Sequence, residues 1–404
     1  MIHRLLAAGL LAFAGIASAA TSYDVDYTVE FLPKQRQVAV TITLDPADGR
    51  ATRLDFPMDP KRYTDVTGDG TIERKGDRLI WAPPKKGGEL RYRVAVNQER
   101  RGGGFDALMT DDWVIVRGDD LVPSARVRTT KSADSRARLR FKLPTGWTGA
   151  DTPYVLNHAR DAFVVVNSAR RFDRPVGWII AGDIGTRREW IEDMEVSVAG
   201  PKGEDLRRND ILAFINATAP EMRRAFGRLP TKVLLLGAGD PMWRGGLSGP
   251  RSLFLHADRP LISENGTSSL MHELTHVITR IRGEKGEDWI AEGLAEFYSI
   301  ELLNRAGLLS DTRRQRALQW MKRYGRDVKR LHRAFSSGER TARAVTLFAA
   351  LDTEIRKKSE NRFDIDNLTQ SLMDRGRVTQ EDLRDEAERL LGAPSEVLNT
   401  PLLD

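Results

Sequence analysis

Met271-His272-Glu273-Leu274-Thr275-His276, followed sixteen positions after His276 by Glu292 in Trp289-Ile290-Ala291-Glu292-Gly293-Leu294-Ala295-Glu296, decides how this chain is read. Residues four apart on an α-helix return to almost the same azimuth, one turn apart. His272 and His276 on a helix therefore present two imidazoles to one ion, whereas in a strand they would stand about 13 Å apart. Leu270, Leu274, Val277, Ile278 and Ile281 keep helical spacing around them, and Ser268 or Ser269 can start the helix. Glu273 lies beside the pair, where a carboxylate can take a proton from an attacking water. The plain alternative is two buried structural histidines. With only 6 histidines in 404 residues, the spacing favours a metal site.

Gly283-Glu284-Lys285-Gly286-Glu287 breaks this helix, and a second is expected from near Asp288 towards Asn304. Glu292 and Glu296 are four apart on it and share a face. One can bind the metal while the other receives the distal N–H of a ligand histidine. Glu292 is taken as the ligand because Gly293 beside it permits two helices to approach closely; Glu296 is the alternative.

HELTH followed by WIAEG, residues 272–276 and 289–293, resembles the gluzincin metallopeptidases, closest to the glycyl aminopeptidase family of PDZ-type proteases. The resemblance implies one Zn²⁺ per chain on His272, His276 and Glu292, with Glu273 as general base and a peptide or protein as substrate. It also implies an amino-terminal β-domain ending near Leu143-Pro144-Thr145-Gly146-Trp147 and a thermolysin-like order of strand, Gly-rich loop, strand and zinc helix. Gly245, Gly246 and Leu247 match the family's substrate-binding loop. Ser252–His256 would be the edge strand along which a peptide lies, and His256 either faces substrate or is a structural histidine. No PDZ domain is expected, the chain ending at Asp404.

Two departures bear on activity. The family's Tyr-x-Lys-Gly motif falls on Thr341, Arg343 and Ala344, so the tyrosine that would stabilise an oxyanion is missing. Tyr324, His332 or Arg343 are the candidates to replace it; Tyr298, six positions after Glu292, faces away. Relatives that are aminopeptidases carry a glutamate where this chain has Ser248, which leads to the expectation of an endopeptidase-like mode. The rival class is a catalytically weakened, zinc-stabilised relative that binds a peptide or an envelope partner.

Around this centre the chain reads as an α+β multidomain protein. Residues 1–20 carry His3 and Arg4, an apolar Leu5–Ile16 run and small residues Ala17-Ser18-Ala19, the pattern of a cleaved signal peptide. Twelve apolar residues span about 18 Å as a helix, too little for a membrane core of about 30 Å. The expectation is a periplasmic or secreted protein with no membrane span in the mature chain. The absence of cysteine means that no disulfide is used. A net charge of +6 is too modest for this length to call for nucleic acid. Residues 21–182 alternate apolar and polar in short runs split by turn signals, which points to a β-sandwich. The zinc-bearing α/β domain is expected over 183–306 and a helical domain over 307–404. Asp311–Phe335 carries 9 Lys or Arg. That charge reads as a solvated helix face, with contact to an anionic envelope component as the sharper alternative.

Overall fold

Alternation decides the amino-terminal part. In the computed structural model, which describes residues 21–166 and 170–404, Tyr23, Val25, Tyr27, Val29 and Phe31 turn inward along Ser22–Leu32, and Val38, Val40, Ile42 and Leu44 do so along Gln37–Pro46. These two strands form an antiparallel hairpin at the middle of a seven-stranded sheet. Ser22–Leu32 also pairs in parallel with Asp134–Lys142. On the outer face of that ladder Asp26 meets Arg138 and Arg140, each at 2.6 Å. A four-stranded and a five-stranded sheet complete the region, and strands of all three share one apolar core. The short apolar runs of this part fall on strands such as Gly88–Ala95, Trp113–Arg117, Asp134–Lys142 and Ala162–Val165. The signal-peptide expectation lies outside the described residues.

From Ile184 the chain builds a second five-stranded sheet in the order Ile184–Ile191, Met194–Pro201, Lys232–Ala238, Ser252–His256, Gly246–Gly249. Met194–Pro201, Lys232–Ala238 and Ser252–His256 run parallel and are almost wholly buried, which is why they read as continuous apolar runs. The edge is therefore not Ser252–His256 but the short strand Gly246–Gly249, paired antiparallel outside it. A two-residue reversal, Pro250 and Arg251, folds this edge back, and the glycines of the loop hid it from a strand reading.

Among the described residues the longer helices are Arg208–Phe226, between Met194–Pro201 and Lys232–Ala238, and then, after the sheet, Ser269–Thr279, Asp288–Arg305, Asp311–Tyr324, Glu339–Lys358, Ile365–Arg375 and Gln380–Leu391. The basic segment 311–335 is helical only to Tyr324; Gly325 caps it. One apolar core runs from Ile191 to Leu403, so the late helices pack onto the same core as the HExxH helix. A smaller cluster, including Trp113, Trp178, Leu234 and Phe254, joins the amino-terminal sheets to the second sheet. Trp178 Nε1 donates to the Leu247 carbonyl at 2.9 Å, tying the edge strand to that junction. The architecture is α+β with mixed sheets, and no helix among the described residues is long and apolar enough to cross a membrane.

Gly293 does set a close helix approach, but its partner is Glu339–Lys358 and not the HExxH helix. A Cβ at Gly293 would stand 2.5 Å from Ala344 Cβ and 2.8 Å from the Phe348 ring. Ala favours a helix interior over Gly by about 1 kcal/mol, while overpacking a tight contact costs about 1–3 kcal/mol. Gly293→Ala is therefore expected to lower stability by up to about 2 kcal/mol in urea unfolding. A gain in stability would show that this contact is loose.

Candidate metal centre

The HExxH helix, Ser269–Thr279, begins where the Ser268 hydroxyl accepts from Met271 N–H at 3.2 Å. Leu270, Met271, Leu274, Val277 and Ile278 bury one side in the core. His272 and His276 look the other way, towards the helix Asp288–Arg305. Their ring centroids lie 4.8 Å apart at 75°, with the two Nε2 atoms 3.2 Å from each other. Glu292 straddles the pair: one carboxylate oxygen is 3.4 Å from His272 Nε2 and the other 3.3 Å from His276 Nε2. On the far side of the ring, His272 Nδ1 donates to Glu296 at 2.9 Å. That bond leaves Nε2 of a neutral His272 with a lone pair pointing at another imidazole nitrogen.

Such an arrangement suits a proton or a metal ion shared among the three groups. Burial opposes a charged His272, but its hydrogen bonds with Glu292 and Glu296 outweigh burial and hold its pKa well above the ordinary histidine range. Burial likewise pushes Glu292 up, and the two imidazoles outweigh it, drawing the carboxyl well below its usual range. The same donors fit a metal ion. Four ligands at about 2.0–2.1 Å around a tetrahedral ion are separated by about 3.3–3.4 Å, close to the 3.2–3.4 Å found between these groups. His272, His276 and Glu292 are the group among the described residues whose donor atoms, all within 4.8 Å of one another, could hold an ion. Glu296 is at the imidazole and not in that group.

Glu273 is nearly buried and counts among the charges acting on His272. Its side chain lies against Gly246, where a Cβ would stand 2.7 Å from Glu273 Cγ and 2.9 Å from Oε1. Any side chain at 246 would push the carboxylate aside, so the need for glycine there is set by Glu273. Gly245 packs under the Trp243 ring, and the Leu247 carbonyl is already bonded to Trp178. Of the two glycines expected to meet substrate, Gly246 is the one set against Glu273.

Several expected residues lie elsewhere. His256 is buried at the end of its internal strand, where Nδ1 accepts from Asp258 N–H at 3.2 Å. Arg343 has its backbone against Gly325 and does not line the cleft beside the centre. Thr341 is buried against Ser336. Tyr298 bonds Asp366 and Thr369, Tyr324 stacks on Trp320, and His332 bonds Gln380. None of these reaches the donors.

The cleft itself, about 720 Å³, has His276 and Glu292 in its wall along with Ser248, Gly249 and Pro250. Sequence reasoning missed most of its other contributors. Asp119 and Arg174 come from connecting segments of the amino-terminal part, Arg280 from the end of the HExxH helix, and Arg282 and Arg377 from a short ladder in the helical part. Only Asp288 was within reach of periodicity, being one helical turn before Glu292.

No protein-family model matches the chain, and no curated protein matches it in sequence. Solved structures do match in fold. An aminopeptidase N family protein from Idiomarina loihiensis superposes with a TM-score of 0.63 at 14% identity, over 87% of this chain and 70% of that one. Aminopeptidase A of Legionella pneumophila, solved with aspartic acid, gives 0.56 at 12% identity over 96% of this chain, which spans 50% of that protein. An M1 zinc metallopeptidase from Deinococcus radiodurans gives 0.55 at 14%, over 95% of this chain and 92% of that one. The chain has the fold of these proteins.

Proposed function

We propose that the protein is a zinc metallopeptidase that hydrolyses peptide bonds with Glu273 as general base. The observation that carries this reading is the convergence of two imidazole nitrogens and the Glu292 carboxylate in a cleft bordered by an edge strand. The names of the fold neighbours, aminopeptidases and a zinc metallopeptidase, support both the ion and the reaction class. His272, His276 and Glu292 would hold the ion, and Glu296 would fix the His272 ring so that Nε2 faces it. Bound there, zinc supplies Lewis acidity, polarising a scissile carbonyl and lowering the pKa of water towards about 7. Glu273, held against Gly246, takes the proton from the attacking water and passes it to the leaving amine. Gly246–Gly249 offers backbone N–H and C=O groups to an extended peptide.

The mode of cleavage needs correction. The endopeptidase-like expectation rested on Ser248 in place of an acid, but the likeness to named aminopeptidases favours release of amino-terminal residues. Asp119 and Asp288 bring carboxylates to the cleft wall. The binding-protein alternative is not favoured by these neighbours. Its remaining support is that no tyrosine lines the cleft.

Three outcomes are expected. Purified protein holds one zinc per chain by elemental analysis; His272→Ala loses it, whereas Glu273→Gln keeps it and loses hydrolysis by about 10²–10⁴-fold. Full zinc in His272→Ala, or equal turnover by Glu273→Gln, contradicts the assignment. Given a matched peptide pair, the enzyme removes single residues from the free peptide and spares its amino-terminally acetylated twin; cleavage of both restores the endopeptidase mode. Export is proposed from the leader pattern alone. Mass spectrometry of protein from an exporting host then finds Ala20 or Thr21 first, and a retained Met1 in the exported fraction counts against it.

A further inference from the structure

The wall of the cleft beside the metal centre carries positive charge that its neighbours do not neutralise. Arg280, Arg282 and Arg377 line the same cavity as His276 and Glu292 and are exposed. Among the described residues none of the three has a side-chain hydrogen bond or ion pair. The carboxylates nearby are engaged elsewhere. Asp119 accepts from Arg174 at 3.2 Å and from Gly177 N–H at 2.9 Å, and Asp288 accepts from Ser336 N–H at 2.7 Å.

A lone exposed arginine signals nothing, but the placement of these three works against stability. Arg282–Gly283 and Arg377–Val378 form a two-stranded parallel ladder whose register sets Arg282 opposite Arg377. Residues so paired project from one face, and like charges placed opposite each other are destabilising. Arg280 ends the HExxH helix in the left-handed region at φ 56°, where glycine is the usual residue. Three guanidinium groups are thus held at one wall by backbone elements that neutral residues or glycine would suit better.

We infer that this wall is a carboxylate-binding subsite, with Arg282 and Arg377 as a specificity-determining pair that selects peptides bearing an acidic group. Two adjacent guanidinium groups offer forked N–H donors that match a carboxylate. The like-charge opposition across the ladder is relieved when an anion sits between them. An Asp or Glu side chain and a peptide's α-carboxylate share this chemistry. The assignment of the ligand as a peptide rests on the peptidase reading; the anion preference does not.

The test is binding to the zinc-loaded Glu273→Gln protein, followed by fluorescence anisotropy with peptides of equal length. One carries an acidic side chain and a carboxy-terminal amide, one a neutral side chain and a free carboxylate, and one neither charge. At least one carboxylate peptide is expected to bind about tenfold more tightly than the neutral one, the preference shrinking as salt rises. Which of the two gains identifies the source of the carboxylate. Adding Arg282→Gln with Arg377→Gln abolishes the preference and leaves binding of the neutral peptide and zinc content unchanged. If the double substitution does not fold, the single ones are each expected to reduce the preference. Equal binding of all three peptides, or a preference that survives the substitutions, overturns the subsite. Hydrolysis by the unsubstituted protein is scored separately. Cleavage without charge preference sinks the subsite and keeps the peptidase, whereas arginine-dependent binding with no cleavage of any peptide does the reverse.

Discussion

Two imidazole nitrogens 3.2 Å apart cannot aim lone pairs at each other unless something positive lies between them. The rest of the site follows from that demand. Glu292 brings its carboxylate to both rings, and Glu296 holds His272 in the tautomer that keeps Nε2 free. Both acids come from one helix, whose distance from its neighbours is set by Gly293 against Ala344 and Phe348. The apolar core that fixes these helices is also the one on which the later helices and the second sheet pack. A local electrostatic requirement is thus held by packing that reaches through the carboxy-terminal half of the chain.

Much of the metal centre was legible because its residues sit on two helices with strong periodicity. Four-residue spacing alone places His272 with His276 and Glu292 with Glu296, and tertiary packing need only bring the two helices together. The cleft was not legible for the opposite reason. Asp119, Arg280 and Arg377 lie far apart in sequence, on turns and short ladders whose meeting depends on the whole topology. The edge of the second sheet was misplaced for a related cause. Ser252–His256 looks like a strand because it is buried on both faces, whereas Gly246–Gly249 has little side-chain pattern of its own. His256 lies on that internal strand and is buried.

The amino-terminal sheets are more than a neighbour to the chemistry. Trp113, Trp178 and Phe254 share a cluster that seats them against the second sheet, and Trp178 bonds Leu247 next to Gly246. Gly246 in turn bears on Glu273. The position of Glu273 therefore depends on a chain of contacts that begins in the amino-terminal region. The same junction supplies Asp119 and Arg174 to the cleft, so the two parts of the chain together shape the space in which a peptide would lie.

Anomalous diffraction from zinc-soaked crystals, recorded on both sides of the zinc absorption edge, would locate the ion. One edge-dependent peak is expected within about 2.0–2.2 Å of His272 Nε2, His276 Nε2 and a Glu292 oxygen. A peak elsewhere, or none at these donors, would contradict the proposed zinc site.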